Sequence, residues 1–506
     1  MQERMTETFE LDWLKRWAAY SPKGVAVRCA DSNRSFTYRE LFDRSNALAG
    51  KLRATYGVQK GDRVAILALN EPETIFLFFA LQRLGAMLVP VNFRFAPREI
   101  DHVLRDSEPK LFVHQEAFAE TVARLERKPA QCLPFEGNSG LAALIFADAP
   151  ARPLPVAGDP DSPVMILYTS GTTGLPKGAL VTNKMLFWNS VNTGLRLNIT
   201  SGDSAVIFHP LFHTSGWNVL TTPFFHHGAR IIMLKKFDPA RVLELCEQEG
   251  ATILFGVPTM MDRMARTEEF HRVKLSKVRY AVVGGEPMPV DLITTWADKG
   301  IPVRQGFGLT EFGPNCFSLN EEDGIRKKGS IGFPNFYVDA KILDTATGAE
   351  LTQPNQVGEL CLRGPACTSG YWRNEAATAD AIRDGWFHTG DLVRRDDEGY
   401  YYVVGRRKEM YISGGENVYP AEVEAYLRSF KKVREVAVIG VVDATWGETG
   451  RCFYSSEDGA PIAEADLRTF CQGGLAKYKV PKSFVHLPEL PKGDSGKILK
   501  RALPVA

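Results

Sequence analysis

Residues 168 to 178 read Tyr-Thr-Ser-Gly-Thr-Thr-Gly-Leu-Pro-Lys-Gly and directly follow the apolar run 164–167. Such a loop suits phosphate, because its glycines let backbone N–H groups approach an anion while its hydroxyls and one lysine add donors and positive charge. Lys177 follows Pro176 and precedes Gly178, whereas a Walker A loop needs Gly-Lys followed by Ser or Thr. The stretch favours a phosphate-binding loop of another kind than the P-loop ATPases, with a flexible surface turn as the alternative.

Length and composition predict a globular protein of several domains. The chain has 506 residues, 44% of them apolar and 24% charged, which excludes disordered and fibrous classes. A chain of this length predicts roughly three or four domain-sized units. The net charge of +1 provides no electrostatic footprint for nucleic acid. We therefore expect no nucleic-acid partner.

Cysteine usage and the N-terminus predict a cytoplasmic protein. The eight cysteines show no Cys-x-x-Cys spacing and no nearby histidines complete a zinc pattern, so reduced thiols are expected. Glu3, Glu7 and Glu10 stand where a signal peptide would be apolar, and no run approaches about 18 uncharged apolar residues. Peripheral membrane contact stays open, because the sequence provides no test for a modest amphipathic patch.

Apolar runs of strand length alternate with stretches of helical period, which is typical of an α/β fold with parallel sheets and crossover helices. A first lobe is predicted to contain helices over 38–54 and 72–84 and strands over 64–69 and 87–91. A second lobe is predicted to contain strands over 164–168, 205–209, 230–234, 252–255 and 278–283. From about residue 325, short alternating segments such as 358–363 and 400–404 predict a small antiparallel, barrel-like third lobe. A charged stretch at 406–409 then precedes a small α+β domain, and we place a hinge there.

A second polar cluster, residues 305–311, reads Gln-Gly-Phe-Gly-Leu-Thr-Glu and follows a predicted strand at 302–305. Open parallel sheets bind ligands at such strand ends. Phe307 could stack on a base, Thr310 could hydrogen-bond a phosphate and Glu311 could hold Mg²⁺. The alternative is a capped helix start, where Glu311 favours the positive end of the helix.

Together these clusters resemble the core motifs of the adenylate-forming acyl-CoA ligases, a superfamily that also contains firefly luciferase and peptide-synthetase adenylation domains. The motifs span nearly the whole chain in the family's order and comprise 168–178, 305–311, 358–364, 386–392, Gly405-Arg406 with 412–420, and Gly496-Lys497. The resemblance implies a large N-terminal domain over 1–407, with two α/β lobes and the barrel-like lobe. It also implies a small, mobile α+β C-terminal domain over 408–506, with Lys408 as the hinge.

The resemblance implies a two-step reaction that uses ATP, Mg²⁺ and CoA. A carboxylic acid attacks the α-phosphate of ATP to give an acyl-adenylate and pyrophosphate, and the CoA thiol then displaces AMP. Because two anions meet in the first step, Mg²⁺ and fixed cations should supply most of the electrostatic stabilisation. The family counterpart of Lys497 bridges the carboxylate and the α-phosphate. The implied catalytic residues are Lys497, His213, Thr310 and Glu311, with Glu311 as the metal ligand.

The same residue-by-residue comparison implies the ATP/AMP site. Its members are Thr169, Ser170, Gly171, Thr172, Thr173, Gly174 and Lys177 at the phosphates, Gly284, Gly285 and Glu286 beside the adenine, Gln305, Gly306, Phe307, Gly308, Leu309 and Thr310, Asp391 at the ribose hydroxyls, and Arg406 and Lys497. Phe307 stands where the family usually has tyrosine, so stacking is retained while a phenolic hydrogen bond is lost. Glu286 stands where alanine is common.

The resemblance also implies that the C-terminal domain alternates between two poses about Lys408. Gly414 and Gly415 would let a pantetheine arm pass because they lack Cβ, with a simple turn as the alternative. Trp446 and Tyr478 match positions that flank the CoA adenine in aryl-CoA ligases, with core packing as the alternative.

The implied acid pocket contains His213, Trp217, Phe255 and Gly308. His213 matches a histidine beside the incoming carboxylate, and a helix-capping histidine is the alternative. Trp217 matches the gating tryptophan of long-chain fatty acyl-CoA synthetases, although a core tryptophan would look identical in sequence. Apolar residues such as Phe255 favour a fatty or aromatic acid over a short polar one.

Three kinds of function remain open. The leading prediction is a ligase that joins a medium- or long-chain fatty acid to CoA, with an aryl acid as its close variant, acting as a homodimer or a monomer. The second is an acyl-adenylate synthetase that delivers to a carrier protein or an amine, against which the Gly414-Gly415 loop argues. A luciferase-like oxygenase is weaker, because Ile412 replaces a lysine common in the family. The third is an idle nucleotide-binding scaffold, against which the joint retention of Lys177, Asp391 and Lys497 argues.

Overall fold

The structure is a computed structural model that describes residues 10–147, 154–169, 176–286, 288–414, 416–493 and 497–504. The chain folds into two compact units. Unit 1 is Met1–Asp339 with Leu362–Phe387, and unit 2 is Ala340–Cys361 with His388–Ala506. The domain boundary predicted at Lys408 stays a prediction.

The described helices alternate with strands along most of the chain. They are α1 Trp13–Tyr20, α2 Tyr38–Tyr56, α3 Pro72–Leu84, α4 Pro97–Ser107, α5 Ala119–Ala123, α6 Leu141–Phe146, α7 Asn183–Leu197, α8 Thr214–Trp217, α9 Thr221–His227, α10 Pro239–Gln248, α11 Pro258–Ala265, α12 Glu268–Arg272, α13 Val290–Asp298, α14 Glu375–Ala381, α15 Pro420–Arg428 and α16 Glu464–Gln472. Short 3₁₀ turns cover Glu116–Phe118, Thr310–Phe312, Glu321–Asp323, Lys477–Lys479 and Lys500–Ala502.

The described strands range in length from two to eleven residues. They are β1 Val25–Cys29, β2 Ser35–Thr37, β3 Arg63–Leu67, β4 Met87–Pro90, β5 Leu111–His114, β6 Cys132–Pro134, β7 Pro163–Thr169, β8 Lys177–Thr182, β9 Ser204–Ile207, β10 Arg230–Met233, β11 Ile253–Gly256, β12 Tyr280–Val283, β13 Val303–Phe307, β14 Phe317–Ser318, β15 Ser330–Pro334, β16 Asp339–Leu343, β17 Gly358–Arg363, β18 Ile382–Arg383, β19 Trp386–Arg395, β20 Tyr401–Arg406, β21 Tyr411–Ser413, β22 Glu416–Val418, β23 Val433–Asp443, β24 Gly447–Ser456 and β25 Ser483–His486.

Parallel pairing dominates the sheets of unit 1. One sheet has the order β2-β1-β10-β9 and another the order β6-β5-β3-β4-β7-β8. A third runs β11-β12-β13-β14-β15, with β11, β12 and β13 parallel. Antiparallel strands occur beside the parallel ones, as at β2, β8 and β14. The predicted α/β class with parallel sheets is confirmed.

The helices of the first lobe follow the predicted bounds closely. The helix predicted over 72–84 is α3, and all of its residues are buried. Pro72 suits the first turn because its missing N–H is not needed there, and Gly85 ends the helix at φ 69°. α2 begins with a capping box, in which Thr37 and Glu40 satisfy each other's backbone N–H groups.

Unit 2 contains antiparallel strands. The strands predicted as a barrel-like lobe follow the order β16-β17-β19-β20 with β16 at an edge, so the described strands of this segment form an open sheet rather than a barrel. The last hundred residues form the predicted α+β arrangement. Their sheet has the order β22-β21-β24-β23, with β25 parallel to β24. None of the helices that the structure describes is both long and apolar enough to cross a membrane.

Two enclosed histidines in unit 1 are held in the neutral form. The His226 ring stacks on Trp13 with 4.4 Å between ring centres, and its Nδ1 lies 2.8 Å from the Ser190 hydroxyl. Burial lowers the pKa of His226 to about 4. Burial, followed by the nearby His213, lowers the pKa of His209 to about 3.

We predict that acid destabilises the protein before its carboxylates protonate. An unfolded histidine has a pKa of about 6.5, so below that pH the unfolded chain binds more protons than the folded one. Above about pH 6.5 the two neutral histidines cost no stability. As the pH falls towards their lowered pKa values, the free energy of unfolding decreases, by about 2 kcal/mol per histidine at pH 5. Urea denaturation at pH 7, 6 and 5 measures this. His226→Asn should remove the contribution of one histidine to the pH dependence of the free energy of unfolding. His271→Asn, at an exposed position, should leave that pH dependence unchanged. Equal slopes in all three proteins would contradict the assignment.

Candidate active site

Several predicted site residues lie at the carboxyl ends of three neighbouring strands. In the parallel register of β11, β12 and β13, Phe255 pairs with Val282 and Val283 pairs with Gln305. Gly284 follows β12, and a Cβ added there would lie 3.4 Å from the carbonyl oxygen of Gly306. The residues predicted beside the adenine, 284–286, therefore adjoin the loop that leaves β13, as expected at a strand edge.

The loop 305–311 is fixed by close packing. Gln305 is buried, and its Oε1 accepts a hydrogen bond from the Met288 N–H at 3.0 Å. The half-buried Phe307 packs edge-on against Phe317 with 5.9 Å between ring centres. A Cβ on Gly308 would lie 2.1 Å from the carbonyl oxygen of Pro314, so no side chain fits at this position. Close backbone packing explains this glycine, and its predicted place in the acid pocket stays a prediction.

Tyr371 links two predicted phosphate-site residues. Its hydroxyl donates a hydrogen bond of 2.9 Å to Glu311 Oε1, and the Lys177 ammonium lies 5.7 Å from the centre of its ring. Burial and then the Glu311 carboxylate raise the pKa of Tyr371, so the hydroxyl keeps its proton. Sequence reasoning missed this residue, because Tyr371 lies seven residues past the motif at 358–364.

The Glu311 carboxylate fits a magnesium ion. Glu311 lies in the 3₁₀ turn Thr310–Phe312, where Thr310 is buried. Among the described residues, Tyr371 supplies the only hydrogen bond to this carboxylate, which leaves Oε2 for a cation. Hard cations such as Mg²⁺ prefer oxygen ligands. When bound, Mg²⁺ would neutralise charge on the phosphates of ATP.

The strands on either side of the predicted phosphate loop are antiparallel. Thr169 at the end of β7 pairs with Lys177 at the start of β8. Ser170, Gly171, Thr172, Thr173 and Gly174 lie outside the described residues. An open cleft of about 220 Å³ adjoins Lys177 and is lined by residues that include His102 and Trp372.

On the acid side, the structure shows both alternatives that the sequence offered for His213 and Trp217. His213 is the N-cap of α8, and its Nδ1 accepts a hydrogen bond from the Ser215 N–H at 3.3 Å. The Trp217 ring is wholly buried, packs on Phe78 with 5.0 Å between ring centres, and donates to the Leu211 carbonyl. Trp217 is therefore a core residue in this structure, and the predicted pocket roles of both residues stay predictions.

His209 is a candidate pocket residue that sequence reasoning missed. Its ring stacks on Phe255 with 4.1 Å between centres and 22° between planes. It is 3% exposed, and its Nε2 has no hydrogen-bond partner among the described residues. The neutral imidazole thus places an unsatisfied polar atom beside two predicted pocket residues, Phe255 and His213. Its position within the predicted strand 205–209 gave it the pattern of a core residue.

The pair predicted to lie at the ribose, Asp391 and Arg406, forms within unit 2. Asp391 on β19 is opposite Arg406 on β20, and Arg406 Nε lies 2.7 Å from Asp391 Oδ1. The Asp391 side chain is 4% exposed, whereas Arg406 is 45% exposed. The Asp391 N–H also donates to Thr389 Oγ1 at 3.0 Å. The Arg406 ion pair orients the carboxylate, and the Thr389 hydrogen bond fixes the backbone at Asp391.

The predicted hinge and catalytic lysines occupy exposed positions. Lys408 is exposed in the turn after β20, and the following Glu409 contacts Lys500 at 2.9 Å. Lys500 also lies 2.8 Å from Glu424. Burial alone would lower the pKa of Lys500, but the two carboxylates outweigh it and the pKa is raised. Lys497 is exposed, and its carbonyl accepts from the Gly493 N–H at 2.7 Å.

The predicted CoA residues have unlike surroundings. Gly414 has φ 61°, and a Cβ there would lie 2.7 Å from Trp446 Cε3. The Trp446 ring covers this glycine and is still 45% exposed. Tyr478 is partly buried and packs on the core of unit 2. Gly415 lies outside the described residues.

Comparison with known proteins identifies the family. The AMP-binding enzyme family model matches residues 14–372, and the AMP-binding enzyme C-terminal domain model matches residues 422–497. Feruloyl-CoA synthase from Amycolatopsis sp is 40% identical over 496 residues, which are 96% of this chain and 97% of that protein. Long-chain-fatty-acid–CoA ligase FadD13 from Mycobacterium tuberculosis is 34% identical, with 97% of each chain covered.

Solved structures support the same family assignment. ATP-bound MatB from Rhodopseudomonas palustris matches with a TM-score of 0.89 and 32% identity over 97% of this chain and 98% of that one. The o-succinylbenzoate CoA synthetase MenE from Bacillus subtilis, in complex with ATP and magnesium ion, matches with a TM-score of 0.87 and 31% identity over 97% and 98%. The chain belongs to the AMP-binding enzyme family and is an AMP-forming acid–CoA ligase of the adenylate-forming superfamily.

Proposed function

We propose that the acid joined to CoA is an aromatic carboxylic acid with a polar ring substituent. The observation that carries this proposal is the stacked pair of His209 and Phe255. A buried polar atom without a partner costs about 1–3 kcal/mol. A substituent that hydrogen-bonds His209 Nε2 would remove that cost, and the two stacked rings suit a flat substrate.

Sequence similarity to an aryl-acid ligase supports the proposal. The relative with 40% identity acts on a feruloyl group, an aromatic acyl group whose ring bears a hydroxyl. The relative with 34% identity is a long-chain-fatty-acid ligase. A saturated alkyl chain has no polar atom for His209, so the geometry favours the aromatic acid over the fatty acid that the sequence first suggested.

We further propose how the described residues share the work. Glu311 and Lys177, both in contact with Tyr371, would lie at the phosphates, and Asp391 would accept hydrogen bonds from the ribose hydroxyls. Lys497 would approach the α-phosphate during adenylation only, since a hinge at Lys408 would carry it away before the thiol enters. Trp446 would contact CoA from its exposed place over Gly414.

Removing Lys497 separates the two steps. We expect Lys497→Ala to lower acid-dependent pyrophosphate release by at least about 100-fold, because it removes one charge that stabilises the transition state. Conversion of a supplied acyl-adenylate and CoA to the thioester should persist. Pyrophosphate and acyl-CoA are measured in separate assays. Lys477→Ala, an exposed lysine of the same unit, is the matched control. Equal loss of both steps in a folded variant would show that Lys497 does not act in one pose alone.

Replacing the His209 imidazole by a phenyl ring tests which class of carboxylic acid is the substrate. His209→Phe keeps a ring to stack on Phe255, so we expect kcat/KM for a ring-hydroxylated aryl acid to fall about tenfold, the worth of one hydrogen bond. The unsubstituted aryl acid should change little. Both acids and a saturated long-chain acid are compared by acyl-CoA formation, with the exposed His271→Phe as control.

Two results would count against this substrate class. If His209→Phe lowers kcat/KM equally for all acids, the histidine only supports the fold. If the unaltered protein prefers the long-chain acid, the aromatic proposal is wrong, while the ligase reaction stands.

A further inference from the structure

Three side chains with different metal-binding groups meet in unit 2. His388 Nδ1 lies 3.4 Å from Cys361 Sγ and 3.3 Å from Glu359 Oε2. The three ligand atoms all lie within 4.8 Å of one another. A thiol, an imidazole and a carboxylate thus face one small volume.

The sheet explains why these residues meet. Glu359 and Cys361 are two residues apart on β17, so their side chains leave the same face of the strand. β17 and β19 are neighbours, and Thr389 Oγ1 on β19 donates to the Leu360 carbonyl at 2.8 Å. His388, just before Thr389, is thereby placed across from both.

We propose that Glu359, Cys361 and His388 bind a thiophilic divalent cation of the Zn²⁺ class. Metal bonds of about 2.0 to 2.3 Å at tetrahedral angles put ligand atoms roughly 3.3 to 3.8 Å apart. The two distances to His388 fall within this range. Sulfur and nitrogen ligands select Zn²⁺ over Mg²⁺, which demands oxygen. Three protein ligands leave a fourth position for water.

The surroundings orient the carboxylate and provide a way in. The Gly390 N–H donates to Glu359 Oε1 at 3.2 Å, which leaves Oε2 directed at His388. Such partners of a ligand commonly fix its orientation at metal sites. Cys361 is fully buried, whereas the Arg407 side chain, 3.4 Å from Glu359 Oε2, is 49% exposed. The cation enters by displacing Arg407 from Glu359.

Binding of a cation at this site changes the charge next to residues that are predicted to bind the nucleotide. Arg407 follows Arg406, the partner of Asp391, and His388 precedes Asp391 by three residues on β19. The bound cation takes the place of the Arg407 guanidinium on Glu359. The backbone hydrogen bond from the Arg407 N–H to the Gly390 carbonyl, 2.9 Å, does not need to break.

Cobalt(II) titration of the full chain without ATP tests the site. We expect one equivalent to give the visible bands of a tetrahedral ion and a near-ultraviolet thiolate-to-metal band, and Zn²⁺ to displace it while Mg²⁺ does not. Cys361→Ser should abolish the thiolate band. His388→Gln and Glu359→Gln should weaken binding by at least roughly tenfold, since even partners of metal ligands are worth 10–100-fold.

The exposed Cys132 is the matched control, and Cys132→Ser should retain the full spectrum. Circular dichroism and thermal melting confirm that each variant is folded, and Glu359→Gln preserves the shape of the side chain. The proposal is overturned if no thiolate band forms, if the band survives in folded Cys361→Ser, or if it disappears in Cys132→Ser.

Discussion

The parallel register of β11, β12 and β13 is the constraint on which the candidate active site depends. It fixes Gly256, Val283 and Gln305 in one row at the carboxyl ends of the three strands, so the loops that follow must start side by side. The row is stable because the strand interiors are buried between helices, as parallel sheets require. A change that shifted β13 by one residue would turn Gln305 to the opposite face and separate the 305–311 loop from Gly284.

The same strand register determines which neighbours the buried polar side chains of this region contact. His209 lies two residues past the end of β9, and its stacking on Phe255 depends on the position of β11. In an ordinary core such a side chain would find a partner, since most buried polar atoms do. Tyr371 shows the opposite case, because its hydroxyl is satisfied by Glu311 and thereby holds that carboxylate in place. His209 Nε2 thus lacks a partner among the described residues, whereas the Tyr371 hydroxyl has one in the Glu311 carboxylate.

The sequence predicts the fold better than the site. α3 has its predicted bounds because Pro72 and Gly85 mark them chemically. Strand ends differ by one or two residues, as for β3, which ends at Leu67 rather than at residue 69. The sequence offers candidate residues within motifs that are continuous in the chain, but it does not reveal contacts between distant segments. Tyr371 and Glu311 are sixty residues apart, and only the folded chain brings them together.

Trp217 and the two consecutive arginines at the end of β20, Arg406 and Arg407, show why pattern alone cannot assign a role. A gating tryptophan and a core tryptophan have the same spacing from His213, so the sequence does not reveal that the Trp217 ring is buried on Phe78. Arg406 and Arg407 are consecutive in the chain, yet one pairs with Asp391 and the other with Glu359. Alternate residues of a strand face opposite sides, and beyond the strand the turn sets direction, so adjacent cations meet different partners. The electrostatic role of each arginine therefore depends on the carboxylate that it meets in the folded sheet. That partner cannot be inferred from the neighbouring residues in the chain.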